Sequence, residues 1–396
     1  MNDTVTLPPG LNRLGRIAPI LGVVALLLFG IIAWGAGGEG HPTFWQAYLY
    51  AFLVWTGFSL GCLGLMLLHY VVRGSWGKPV IRLFEAGARC LPLNFVMFLP
   101  LLLGAPTLFP WANEEILKHD EILEHRHIYM NLPSFGIRGV IFFAIWIGFT
   151  FFLTRYSRLQ DKTHDPALSQ LRTNVSSIGM VIFAITVNFA YTDWAMSLEK
   201  HWYSTIYGVW FMVANSIGAM TLVTAITALN KKAVPYDEAV TNDVRKDLGN
   251  LMLVHIMLWT YFALSQFLII WSANKPDEVT FYLSRFDNGW LPIGWFIVLF
   301  QFFAPFLALL SGKTKKYATG VASVAIWLLI LRPIDIAWII MPSFAKLTPL
   351  AAFVPCLLSC VAFGGLWFGW FTAQLRQAPL IPSHEIPATQ EALHHA

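Results

Sequence analysis

The side chains of this chain best equipped for chemistry stand where charge is most expensive, inside long apolar runs. Glu85 and Arg89 are four residues apart, the spacing that puts two side chains on one helix face. Arg332 and Asp335 flank Pro333 in a later run, where the proline frees a backbone carbonyl. His69 lies one turn inside a second run. His255 lies two turns inside a seventh, with Trp259, Phe262 and Gln266 following on the same helical stripe and Tyr261 and Ser265 on the adjacent one. Asp193 closes a fifth run beside Asn188, Tyr191 and Trp194, an ordinary aromatic-belt composition at a membrane surface. Groups of these types pass protons when they stand along a path. They also form ion pairs and hydrogen bonds that only fix helix packing. On sequence both readings stand. Glu85–Arg89 and Arg332–Asp335 are structural pairs or proton or ligand sites; His69 meets headgroups and water or takes up protons; His255 is a satisfied structural histidine or a relay. Asp193 belongs to the belt or accepts a proton from a ligand docked at that surface.

Other chemistry is missing. The chain has no Walker loop, no G-x-G-x-x-G after a strand, and no nucleophile with a base beside it. Cys62, Cys90, Cys356 and Cys360 all fall in apolar runs without C-x-x-C spacing, and read as small buried apolar residues. A bis-histidine haem needs two facing histidines at one depth, and only His69 and His255 lie in runs. The segment Glu114 to His127 repeats Glu-Ile-Leu-x-His and adds His127. It reads as an amphipathic helix on the surface or against a partner, with metal binding by its three histidines the alternative. The expectation is therefore a chain that binds no metal or haem, whose redox role, if any, depends on centres in partner subunits.

The elements that position these groups follow from composition. A chain of 396 residues that is 57% hydrophobic, 15% aromatic and 12% charged cannot clothe a water-soluble globule of its size. A bilayer supplies the missing solvent. The net charge of +4 is small and the cations are scattered, so nucleic acid is excluded as a partner. Ten runs are long enough to cross about 30 Å of hydrocarbon as helices: 16–35, 44–72, 80–104, 133–156, 173–193, 205–229, 247–271, 289–311, 317–340 and 349–372. The first, after Arg16, ends without a small-residue cleavage site and reads as a retained span rather than a signal peptide. If the runs alternate, seventeen of the 26 Lys and Arg fall on one side, which the positive-inside rule makes cytoplasmic, with both termini. Lys346 is among the few cations expected outside. The fold expected is all-α and polytopic, with cytoplasmic tails at 1–15 and 373–396, the part after Arg376 ordered only by a partner.

Two segments carry a resemblance. One runs Asp193-Trp194-Ala195-Met196-Ser197-Leu198-Glu199-Lys200-His201-Trp202-Tyr203-Ser204-Thr205-Ile206-Tyr207-Gly208. The other runs from Gln266 to Trp271 and continues with Asn274, Pro276, Glu278, Tyr282 and Arg285. Both resemble the ActF-type membrane subunits of bacterial alternative complex III, which are similar to the NrfD and polysulfide reductase C type of quinone-interacting membrane protein. The likeness extends over all ten runs. Lys200 departs from the family's usual proline, which alters only a surface turn.

The resemblance implies two four-helix bundles, 44–193 and 205–340, flanked by helices 16–35 and 349–372, in the bacterial cytoplasmic membrane. It implies a respiratory complex that oxidises quinol at the outer side and passes electrons through iron–sulfur clusters and c-type haems in other subunits. The partners implied are an ActC-like paralogue, which is the better candidate for the working quinol site, an iron–sulfur subunit and c-type cytochrome subunits. An ActF-type chain is then left with assembly, proton conduction or a second quinone site. On this sequence the proton path would take up protons at His69, Glu85, Arg89 and His255, relay them through Tyr261 and Gln266, and release them at Asp193, Arg332 and Asp335. The rival readings are a proton-coupled transporter and a purely structural membrane anchor for redox subunits.

Overall fold

A computed structural model describes residues 7–35, 41–344 and 347–383. Lys346 and the outer parts of both tails lie outside the described residues. The chain is an all-α polytopic membrane protein, with no strand among the described residues. Its helices are α1 (Pro9–Gly35), α2 (Pro42–Val72), α3 (Ile81–Ala88), α4 (Leu91–Phe98), α5 (Leu101–Leu108), α6 (Glu114–Leu117), α7 (Glu121–Arg126), α8 (Leu132–Thr163) and α9 (Pro166–Trp194). There follow α10 (Tyr207–Leu229), α11 (Tyr236–Ala239), α12 (Asn242–Ala273), α13 (Pro276–Phe286), α14 (Leu291–Ile297), α15 (Ala304–Leu310), α16 (Gly312–Lys316), α17 (Ala318–Ile340) and α18 (Pro349–Leu375). A π-helical turn, Val298–Phe303, joins α14 to α15 into one crossing.

Among the described residues nine helices are long and apolar enough to cross a membrane. A bent pair, Ile81–Phe98 with Leu101–Leu108, makes a tenth when counted as one crossing. The sequence predicts a continuous span at 80–104; the structure breaks it, at Arg89–Cys90 and again by 62° before Leu101. Pro92 and Pro100 explain the breaks, since each lacks the N–H that would continue the helical ladder. The 114–127 segment differs as well. It forms two short helices, α6 and α7, each started by its own side-chain cap, Asn113 and Asp120, rather than one amphipathic helix.

The crossings group into two four-helix bundles. The first packs α2 with the broken crossing, α8 and α9; the second packs α10 with α12, the α14–α15 crossing and α17. In their most apolar stretches α2 is 83% buried and α10 72%, against 22–39% for α1, α8, α9, α12 and the α14–α15 crossing, so α2 and α10 form the contact between bundles. Lipid tails are as apolar as leucine, so close backbone approach and interhelical hydrogen bonds hold such helices together. Gly57 of α2 provides the approach: a side chain there would sit 2.5 Å from Asn215 Oδ1 of α10. Trp55 and Trp367 provide the bonds, donating to Cys360 O and Ser59 Oγ, each at 2.8 Å, and dock α18 on α2. The last flank, α1, lies along α18, with Arg376 donating to Asn12 Oδ1 at 2.9 Å.

That contact puts the start of α1 and the end of α18 on one face, together with the connections around 73–80, 164–165, 230–241 and 311–317. This is the basic face. The opposite face carries α6, α7, α13 and the 195–206 segment, tied together by Arg126 donating to Lys200 O at 2.8 Å and by His201 on Asp120 at 2.8 Å.

Candidate functional site

Arg332 and Asp335 are three residues apart on α17 and form an ion pair through Arg332 Nη1 and Asp335 Oδ2. Both are buried, Asp335 completely. Taking two charges out of water costs several kcal/mol apiece, repaid only when their remaining donors and acceptors are met. Arg332 is partly met, donating through Nη2 to Asn215 Oδ1 at 3.4 Å. Asn215 donates in turn to the Tyr191 hydroxyl at 2.8 Å. The Tyr50 hydroxyl meets the proline-disturbed backbone, donating to Pro333 O at 3.2 Å. Asp335 is not fully met, because its Oδ1 is buried and makes no hydrogen bond of normal geometry.

Asp335 lies in the wall of a cavity of about 410 Å³ between α12, the α14–α15 crossing and α17. The rest of the wall is almost wholly apolar, and its aromatic residues include Phe267, Tyr282, Phe286, Trp295 and Phe302. Two lining tryptophans, Trp210 and Trp338, carry buried indole N–H groups with no acceptor. The amide oxygen of Gln301, the buried residue of the π-helical turn, lacks a donor, and the side chains of Gln301 and Trp259 bear on Asp335. Buried polar groups left unmet are uncommon in native proteins, and a group of them around one cavity marks a place for something that meets them.

The cavity opens to the lipid side. Leu264, Trp295, Val298 and Phe303 line it and are also exposed on the outer surface of the bundle. Gly294 helps to shape it: a side chain there would sit 2.9 Å from the Trp338 indole nitrogen, so only glycine leaves that ring in place. The π turn, of a kind that often marks functional sites, is stabilised from α17 by Trp327 donating to Phe300 O at 2.8 Å. Asp335 stands five residues from the end of α17, about 8 Å along the axis, so the cavity lies in the half of the membrane towards the opposite face.

The other predicted residues fall into separate groups. Glu85 does not pair with Arg89. α3 ends at Ala88, so Arg89 leaves the helix face that Glu85 occupies; Arg89 lies over the Phe151 ring at 4.8 Å and donates to Thr154 at 3.4 Å. Glu85 instead accepts from Arg82 at 2.6 Å and from the Tyr70 hydroxyl at 2.5 Å. Arg82 also donates to Ser157 at 3.0 Å and pairs with Asp161. His69 is buried at the end of α2 with its ring edge-on to Trp76. His255 hydrogen-bonds through Nδ1 to Leu251 O at 2.7 Å, as a satisfied structural histidine does. Its stripe turns inward: His255, Trp259 and Gln266 are all buried.

Tyr261, expected as a relay, is 63% exposed on the lipid side and joins no interior path. Gln266, expected at mid-membrane, hydrogen-bonds to Ser204 near the opposite face. Asp193 is buried on that face and accepts from Arg138 Nε at 2.7 Å. Arg138 stacks on the Tyr129 ring at 3.7 Å, and burial together with the Asp193 carboxylate pushes the Tyr129 hydroxyl up to about 12. Of the nine, only Arg332 and Asp335 come together. Sequence reasoning missed Arg82, Asp161, Arg138, Gln301 and Trp338. Arg82 and Gln301 left a signal: the first sits three residues before Glu85, and the second is a lone amide in a Phe- and Leu-rich run. Among the described residues no three His, Cys, Asp or Glu side chains gather as a metal site. No family model and no curated protein matches this chain.

Proposed function

We propose that this chain is a quinone-interacting membrane subunit of a multisubunit quinol:acceptor oxidoreductase of the alternative complex III type. The observation that carries the reading is the cavity beside Asp335, apolar, open to lipid and edged by unmet polar atoms. An isoprenoid quinone has the complementary chemistry, a flat ring between two oxygens on a tail that resides in the bilayer. In this cavity the indole N–H of Trp338 donates to a ring oxygen. Asp335 Oδ1 accepts the proton of a ring hydroxyl, while Arg332 holds the other carboxylate oxygen in place. The aromatic wall excludes water. The bound ring supplies two-electron chemistry, and the acceptors for those electrons belong to haem and iron–sulfur partner subunits in this reading. The Glu85–Arg82–Asp161 cluster at the basic face and Asp193–Arg138 at the opposite face are the termini of an accompanying proton path.

A photoreactive quinone analogue tests the site. In membranes it is expected to label peptides from 259–267, 291–303 and 335–338, and Asp335→Asn is expected to reduce that labelling. Labelling spread evenly over the lipid-facing helices, or unaffected by excess unlabelled quinone, rejects the site. Purification tests the assembly: a subunit of a redox complex brings haem-coloured partners with it, whereas a proton-coupled transporter leaves the membrane alone.

A further inference from the structure

A second cavity, of about 170 Å³, opens on the basic face of the first bundle, far from Asp335 in the fold. Three cations line it, Arg73, Lys78 and Arg172, with His69, Tyr70, Gln160 and Ser169, and no carboxylate is among the lining residues. The nearby acids are engaged elsewhere, Glu85 and Asp161 both by Arg82. Two of the arginines are held in place. Arg73 closes α2 in a left-handed conformation and donates to Ser169 O at 3.0 Å and to Thr173 Oγ1 at 2.5 Å on α9. Arg172 is 3% exposed, lies over the Tyr70 ring at 4.7 Å and donates to Gln160. His69, Lys78 and Arg172 also have contacts inside the chain, so an arriving anion joins an existing network.

The cavity sits where α2 and α8 end and α9 begins, at the level where hydrocarbon gives way to headgroups. Lipid-exposed Val71 and Val72 flank it, and Ile178 and Val181 continue an exposed apolar surface along α9 into the membrane. Three cations at headgroup height above a path for acyl chains fit a phosphodiester. We propose that this cavity binds a phosphate group, carried by an anionic phospholipid or arriving as the free ion, and so fixes the α2–α8–α9 corner of the first bundle.

The purified full chain, delipidated in mild detergent, tests this by native mass spectrometry with phosphatidylglycerol, phosphatidylcholine or inorganic phosphate. The variant is Arg73→Gln with Lys78→Gln, both exposed positions, leaving buried Arg172 intact. The control, Lys231→Gln with Lys232→Gln, removes the same charge elsewhere on the basic face. The site predicts phosphatidylglycerol retained over phosphatidylcholine by the parent and the control, and weakened roughly thirtyfold in the cavity variant, about a factor of five for each cation near a lipid surface. Displacement of the lipid by millimolar phosphate assigns the site to phosphate in general; lipid retention unmoved by phosphate assigns it to the phospholipid. Equal loss in the cavity and control variants, or equal retention of the two lipids, overturns the proposal.

Discussion

Arg82–Glu85 in the first bundle and Arg332–Asp335 in the second are the same local design, an arginine three residues before a carboxylate on a membrane helix, yet they end differently. Around Glu85 both oxygens are met, by Tyr70 and Arg82, and the second arm of Arg82 is taken up by Asp161. Asp161 is also fastened to the end of the described chain, accepting from the Ser383 N–H at 3.1 Å. Around Asp335 one oxygen is met and the other lies against a cavity edged by indole N–H groups without acceptors. Apart from the Arg82 Nε–H the first network is closed, and it holds helices together with little left to offer a ligand. An open one gives up part of that stability and keeps a vacancy for hydrogen bonding.

The largest effect should come from removing the two arginines. Arg82→Met takes the cation from two carboxylates, buried Glu85 and half-buried Asp161, a loss on the order of 3–5 kcal/mol. Arg332→Met leaves one carboxylate, which can take up a proton, and should cost clearly less. Unfolding midpoints of both variants in one detergent check this, and equal losses would break the comparison. Next comes Gly294→Ala, whose methyl group meets the Trp338 nitrogen and turns that ring. It should weaken labelling by the quinone analogue about tenfold, the value of one hydrogen bond, with the midpoint unchanged.

Smaller again is a matched pair of tryptophans. The Trp367 N–H is bonded to Ser59, so Trp367→Phe should cost about 1 kcal/mol. The Trp338 N–H has no acceptor, so Trp338→Phe should cost nothing in stability and still weaken ligand binding. The smallest effect extends the comparison to solvent, at Asp120 and His201. The slight burial of Asp120 opposes its charge, but bonds from His201 and the Leu123 N–H outweigh it and hold the carboxyl below its ordinary range. A depressed carboxyl stabilises the fold above its unfolded value, near pH 4, and that contribution fades as pH falls through the lowered one. Hydrogen exchange in 118–127 should therefore rise on acidification below about pH 4, and Asp120→Asn should flatten the response.

Apolar length made nine of the ten predicted crossings legible as continuous helices, because about twenty predominantly apolar residues leave a bilayer helix as the solution. The break in the third crossing was legible in principle, since Pro92 and Pro100 are plain in the sequence, but composition averaged over a window hides them. Glu85 was correctly marked and wrongly partnered: spacings of three and four are equally good on a helix, and only the end of α3 at Ala88 decides between them. Tyr261 and Gln266 are five residues apart, about 140° around a helix of 3.6 residues per turn, so one faces lipid and the other the interior, and a path read through both is interrupted at Tyr261. The cavity itself was hidden because its walls are tryptophans, which a sequence presents as an ordinary interfacial belt whether or not their N–H groups have acceptors.

The pairing of α1 with α18 bears on how the molecule is made. On the order of three hundred residues separate the two helices along the chain. At about 5–20 residues per second of synthesis, the first waits some 15–60 seconds for the surface it packs on. Throughout that interval the side of it that meets Thr372 and Gly365, with Gly15 and Gly22, faces lipid or the insertion machinery. Closing the belt around the first bundle is thus a late, post-insertion event, and a ribosome halted before residue 349 would leave the first helix without its mate.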